Sequence, residues 1–155
     1  MIIFCDGASN PHTKRSGIGA VWFKPEQFND PTNGKSLIPG EKPIWTLSKE
    51  IYNNKGYPTN NEAEYRSLIE ALKFSIDKNI TNVNVFMDSK LVVNQVQNKW
   101  KINYPHLQQL KNQVDQINIT FTVKHIRREY NTHADKASKD CLRKKCTYFN
   151  QWQTF

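Results

Sequence analysis

Long hydrophobic runs are missing from this 155-residue chain, and cysteine is scarce. No stretch approaches the roughly 20 apolar residues that a membrane span requires. The opening, MIIFCDGASN, has neither the basic region nor the small-residue cleavage pattern of a signal peptide. A soluble, intracellular, cytoplasmic protein with no membrane partner is therefore expected. The three cysteines, Cys5, Cys141 and Cys146, are odd in number and show no C-x-x-C spacing, which argues against a disulfide framework or a four-ligand zinc site. Cys5 lies inside an apolar run and reads as core. Acids are the minority charge, 14 against 22 Lys and Arg for a formal +8, so an anionic partner is favoured: nucleic acid or an acidic membrane surface. The positive residues are dispersed along the chain rather than gathered on one amphipathic helix, which counts against the membrane surface.

What is present suffices for one folded unit. A hydrophobic content of 37% and aromatics at 12% are incompatible with wholesale disorder, and the length suits one domain and one site. A monomer is expected. Residues Ile2 to Cys5 form a short apolar run ending at Asp6-Gly7, the pattern of a central strand that delivers Asp6 at its end. Ile18 to Phe23 predicts a second strand, entered through Gly17 and Gly19, whose missing side chains let another backbone approach. Lys24 to Pro43 carries four prolines and predicts a surface insertion without regular structure. Ile44 to Tyr52 predicts a third strand, and NNKGYP turns the chain.

Thr59 opens the longest helical signal, with Tyr65, Leu68, Ile69, Leu72 and Ile76 at steps of three and four. Thr59 to Asn61 supplies the cap and Glu62 the acid near it, and Glu62 is also placed to pair with Arg66. Val83 to Met87 predicts a strand delivering Asp88. Helices are expected at Ser89 to Asn98, Pro105 to Ile117 and Asn131 to Lys145, and a half-buried strand at Ile119 to Ile126. This order implies an α/β fold: a five-stranded mixed sheet, order 3-2-1-4-5, flanked by helices. Right-handed crossovers place the fourth and fifth strands parallel to the first, with Asp6 and Asp88 side by side.

An ionised carboxylate at the edge of a core needs a partner. Glu64, one turn before Leu68, points toward the sheet. Asp135 falls in the first turn of the last helix, where Ala134 and Ala137 permit close packing. Four acids, Asp6, Glu64, Asp88 and Asp135, are thus expected to converge. Such a cluster stays ionised only if cations neutralise it, and hard oxygen donors suit two Mg²⁺ or Mn²⁺ ions. A single Asp at a strand end reads equally as a turn cap; four together do not. In a basic chain, the arrangement points to two-metal phosphodiester cleavage.

The motifs D-G-A-S-N from Asp6, T-N-N-x-A-E ending at Glu64, M-D-S from Met87 and N-x-x-A-D-x-A from Asn131 resemble, in order, the four signatures of type 1 ribonuclease H. The segments D-S-K-L-V-V-N-Q-V, Trp100 and R-E-Y-N look most like its plant and archaeal branch. The resemblance implies a ribonuclease H-like catalytic domain over 1–146, interrupted by the insertion 24–43, with a tail over 147–155. It implies hydrolysis of the RNA strand of an RNA/DNA hybrid, leaving 5′-phosphate and 3′-hydroxyl ends, with the four acids as ligands of two Mg²⁺ ions. It also implies that Gly7, Ala8, Ser9 and Asn60 contact 2′-hydroxyls of the RNA. Thr59 and Asn61 are candidates for a phosphate or sugar contact, Thr59 reading equally as a cap. Lys99, Trp100 and Lys101 suit a groove for the DNA strand, Trp100 reading almost as well as core. Arg127 and Arg128 read as phosphate contacts or as a solvated pair.

Several features depart from the family. Glu62 stands where many relatives carry Arg, the extra basic helix is absent, and no histidine clearly matches the one that assists proton transfer. His125 reads as structural, on the apolar side of its strand, and His133 as a helix-start residue. The insertion and the tail, with Tyr148, Phe149, Trp152 and Phe155, each suit a partner; surface looping and packing over the domain are the simpler readings. Two alternatives stand beside the ribonuclease: another two-metal nuclease of the integrase, resolvase or proofreading kind, which the T-N-N and N-x-x-A-D-x-A motifs oppose, and a non-catalytic hybrid-binding module, which should lack an acid.

Overall fold

A computed structural model describes residues 1–53, 56, 58–144 and 148–151. Cys146, Trp152, Phe155 and half of the NNKGYP turn (residues 54, 55 and 57) lie outside the described residues, as do the side chains of Tyr148 and Phe149. The elements run β1 (Ile2–Asn10), β2 (Arg15–Phe23), β3 (Trp45–Ile51), α1 (Asn60–Asp77), β4 (Asn82–Met87), α2 (Lys90–Val96), α3 (Pro105–Gln116), β5 (Thr120–His125), α4 (Thr132–Lys144) and β6 (Tyr148–Gln151). The sheet order is β5-β4-β1-β2-β3-β6. The expected five-stranded order 3-2-1-4-5 is therefore present, and the tail, expected to pack over the domain, adds residues 148–151 as a sixth strand antiparallel to β3.

β1 pairs antiparallel with β2 and parallel with β4, and β4 pairs parallel with β5. β1 does not stop at Cys5 as the apolar run suggests. The polar residues beyond it continue in register with β2, Gly7 opposite Ile18 and Ser9 opposite Ser16, because an antiparallel partner satisfies their backbone whatever their side chains. Asp6 is therefore held inside a nine-residue strand. Its pairing with β4, however, ends at Cys5 opposite Met87, so Asp6 and Asp88 are the first residues past the last parallel pair.

Alternation along β1 sends Ile3 and Cys5 to a core shared with α1, α2 and α3, and Ile2 and Phe4 to a second cluster that includes Ala134 of α4. Both faces are covered, which is why Ile2 to Cys5 is apolar throughout. α1 begins with a reciprocal capping box between Thr59 and Glu62. Glu62 serves that box and accepts from Asn53 at 3.2 Å, while Arg66 donates to the Tyr52 carbonyl at 2.6 Å; the expected Glu62–Arg66 pair is not among the described ion pairs. Of the apolar stripe, Tyr65, Leu68, Ile69 and Leu72 are buried and Ile76 is partly exposed.

The insertion does more than loop over the surface. A 3-10 turn at Pro25–Gln27 leads to Phe28, whose ring is buried against Phe4 and Phe23 with centroids 6.0 and 5.5 Å apart. It thus caps the part of the second cluster that α4 leaves open. On β5, His125 is exposed, not apolar-facing: it shares the parity of buried Val123 but occupies the last position of an edge strand.

Candidate metal centre

Two close backbone approaches position the site. A Cβ on Gly7 would stand 2.3 Å from the Ala63 carbonyl carbon, so only glycine lets α1 lie this close to β1. The Gly7 N–H donates to the Glu64 carboxylate and, at 3.0 Å, to Asp6 Oδ1. On the opposite face, a Cβ on Gly19 would meet the Ala134 carbonyl oxygen at 2.3 Å; as the sequence suggests, glycines of β2 admit another backbone, here α4.

Asp6, Glu64 and Asp88 consequently meet, each offering a carboxylate oxygen within 4.8 Å of the others. Asp6 and Glu64 are each 6% exposed, and α1 presents Glu64 inward from the same face as Leu68. Burial, the contact with Glu64 and the neighbouring Asp88 and Asp135 push the Asp6 carboxyl up to about 10. Burial also lifts Glu64 to about 7, against the Gly7 N–H and the distant Arg128 charge, which favour its ionised form. A carboxyl group so placed is short of positive charge. Hard oxygen donors with that deficit fit a divalent cation.

Asp135 joins this group less tightly. It lines the same cavity and lies near enough to raise Asp6, but is one-third exposed and ion-paired to Lys139 at 3.1 Å. The expected convergence of four acids is thus a compact trio with Asp135 at its rim. Asp135 sits in the first turn of α4, where Lys139, four residues on, pairs with it.

Asn131 is the functional residue that received no role from the sequence. Its amide Nδ2 donates to the Cys5 carbonyl at 3.0 Å and to Asp88 Oδ2 at 3.3 Å, tying the loop before α4 to β1 and to the end of β4. It is 1% exposed, and its Oδ1 has no partner among the described residues. The only available signal was its place at the head of the N-x-x-A-D-x-A motif.

The cavity over the acids, about 320 Å³, is lined also by Gly7, Ala8, Ser9, Asn60, Asn61 and Arg128. Ser9 N–H donates to Asn60 Oδ1 at 2.9 Å, and the Ser9 and Ser16 hydroxyls meet the Pro58 carbonyl at 2.6 Å, so the start of α1 and the outer half of β1 form one wall. Thr59 is not part of that wall; its hydroxyl caps α1 and faces a separate hollow. Lys99, Trp100 and Lys101 are exposed after α2 and do not line the cavity; Trp100, at 50% exposure, is not core. Arg127 points to solvent beside Glu129 at 3.7 Å. His133 packs edge-on to Phe23 at 5.6 Å, where burial lowers its pKa, and lies outside the acidic cavity.

Comparison with known proteins bears on the family and the fold. A sequence model of a family described as reverse transcriptase-like matches residues 4–141. The bifunctional protein Rv2228c of Mycobacterium tuberculosis is 31% identical over 149 residues, covering 92% of this chain and 35% of that protein. The chain thus spans about a third of the length of the mycobacterial relatives it matches. The N-terminal RNase H domain of Rv2228c, solved as a maltose-binding-protein fusion, superposes with a TM-score of 0.70 at 28% identity, covering 92% of this chain and 93% of that one. LC11-RNase H1, solved in complex with an RNA/DNA hybrid, gives a TM-score of 0.72 at 27% identity over 93% of this chain and 97% of that one. No helix among the described residues is long and apolar enough to cross a membrane.

Proposed function

Because the chain belongs to the reverse transcriptase-like family, whose fold is that of ribonuclease H, we propose that it is a metal-dependent endonuclease hydrolysing the RNA strand of RNA/DNA hybrids. The observation that carries this reading is the meeting of Asp6, Glu64 and Asp88 within 4.8 Å, a cluster that can be fully ionised only when cations balance it. These three acids, with Asp135 from the rim, would hold two Mg²⁺ ions, for which Mn²⁺ is the natural substitute. Bound there, the ions would supply a Lewis acid for the phosphate and an acidified water; hydrolysis adds that water to phosphorus, breaks the P–O3′ bond and gives 5′-phosphate and 3′-hydroxyl ends.

The protein's own residues orient and select. The Gly7 N–H fixes Glu64, and the Asn131 amide fixes Asp88, so both carboxylates are aimed before any ligand arrives. Arg128, on the cavity wall, meets the phosphate backbone. The backbone of Gly7, Ala8 and Ser9, braced by Asn60, faces the strand held at the acids and reads its 2′-hydroxyls, the one feature that separates RNA from DNA there. Asn61 lines the same wall and contacts the sugar-phosphate chain. Lys99, Trp100 and Lys101, exposed beside α2, guide the DNA strand; Thr59 serves the helix start and acts on substrate only through it.

The test is cleavage of an end-labelled RNA/DNA hybrid beside double-stranded RNA and double-stranded DNA of the same sequence, each with Mg²⁺, Mn²⁺ or chelator. Cleavage of the hybrid RNA alone, and only with metal, is expected. Equal cleavage of all three duplexes would replace hybrid specificity with a general nuclease, and metal-independent cleavage would remove the acids from their role.

A further inference from the structure

The insertion is ordered to its tip. Phe28 anchors it, Asn29 N–H donates to the Ser36 carbonyl at 2.9 Å, and Ile38 N–H to the Gln27 carbonyl at 2.8 Å. Asp30 accepts from the Thr32 N–H at 3.0 Å. Gly34, at φ +71°, lays the tip flat against Phe86, whose ring would be 2.9 Å from any added Cβ. The tip therefore presents Lys35 in a fixed place, its Nζ 5.5 Å from the centroid of the Tyr130 ring, which is 43% exposed.

Between the insertion and the loop before α4 lies a hollow of about 140 Å³, floored by Phe4 and Phe23 and walled by Tyr130 and His133, with Lys35 at the edge. It has room for one planar ring and not for a base pair. The same loop separates it from the acidic cavity: Arg128 and Asp135 line the cavity, while Tyr130 and His133 line the hollow. The hollow and the cavity thus share that loop. Lys124 of the neighbouring strand β5 lies against the insertion, its Nζ 3.5 Å from the Thr32 carbonyl. Asn131, placed to cap α4, turns its donors elsewhere and its Oδ1 accepts from nothing among the described residues, so the first amides of a 13-residue helix beside the hollow lack that cap and suit a phosphate.

We propose that this hollow binds one unpaired nucleotide where the RNA strand continues past the hybrid, the base taking the place of the Lys35 ammonium over the Tyr130 ring and the displaced ammonium, with the start of α4, meeting the phosphate. The proposal rests on the ribonuclease reading above and deepens it from hybrid to hybrid junction. An unpaired occupant follows from chemistry: a paired base has its faces stacked and its edges occupied, whereas a single-stranded one offers a free face to an aromatic side chain.

Binding is measured in chelator, where no cleavage occurs, by anisotropy on a blunt hybrid and on hybrids with a 5′ or a 3′ RNA extension, each carrying 2-aminopurine at the first unpaired position. One of the two extensions should tighten binding about tenfold and quench the 2-aminopurine, in line with the worth of one stacked base. Tyr130→Ala should abolish both effects, Tyr130→Phe should keep them, and neither should alter affinity for the blunt hybrid or its cleavage in Mg²⁺. Lys35→Ala should lower the salt dependence of binding to that extended hybrid by about one ion. Equal affinity for blunt and both extended hybrids, or an extension effect that survives Tyr130→Ala, would overturn the proposal. Failure of the wild-type protein to cleave the blunt hybrid would overturn the ribonuclease reading instead.

Discussion

Replacing Asp6 by Asn removes the acid that the metal-free protein tolerates least. In the folded chain its carboxyl is raised from 3.8 to about 10, chiefly by burial, so at neutral pH the folded state holds a proton that the unfolded state releases. Stability therefore falls as pH rises from about 4 toward about 10. At pH 7 the cost is about three pH units, or about 4 kcal/mol; water entering the cavity relaxes part of it, leaving about 2 to 4 kcal/mol. Asn is isosteric, keeps an oxygen to accept from the Gly7 N–H, and carries no such penalty. In chelator at pH 7 the Asp6→Asn variant should melt about 5 to 15 °C above wild type, and at pH 5 the gap should shrink to a third or so. Millimolar Mg²⁺ should raise the wild type and not the variant, narrowing the gap, while hybrid cleavage by the variant is abolished. Melting curves by circular dichroism at the two pH values decide the matter. A variant no more stable than wild type in chelator at pH 7, or a gap indifferent to pH, would refute the electrostatic reasoning.

Other substitutions probe separate parts of the frame. Gly7→Ala should destabilise the fold by about 3 kcal/mol in urea titration, since its Cβ meets backbone, and should reduce cleavage at least about 100-fold by moving Glu64. Asn131→Ala removes the donor that aims Asp88 and should weaken Mg²⁺ binding by about 10- to 100-fold in calorimetry while leaving KM for the hybrid unchanged. Phe28→Ala, which empties a ring site in the second core, should cost about 3 to 5 kcal/mol of stability by the same urea titration, showing that the insertion belongs to the folded unit.

Much of the site was legible because strong local signals agreed. Apolar runs closing on Asp6 and Asp88 gave two parallel strands with those acids adjacent, and the Leu68 stripe turned Glu64 inward, since periodicity alone decides which way a side chain faces. Asp135 was expected among the acids from its place in the first turn of the last helix, while its ion pair with Lys139 depends on rotamers rather than on pattern. The outer half of β1 was invisible: D-G-A-S-N is poor strand sequence, and only its pairing with β2 makes it extended. Phe28 looked like one apolar residue in a proline-rich loop, and nothing local reveals that α4 leaves a gap for it. The partners of Asn131 and the edge position of β6 are likewise products of tertiary contact, beyond any local pattern.

The most direct test of the acidic cluster is anomalous diffraction from crystals soaked in Mn²⁺. The account predicts Mn²⁺ peaks in the cavity, within coordination distance of Asp6, Glu64 and Asp88. Ordered carboxylates with no anomalous peak between them, at Mn²⁺ concentrations that sustain other two-metal nucleases, would contradict it.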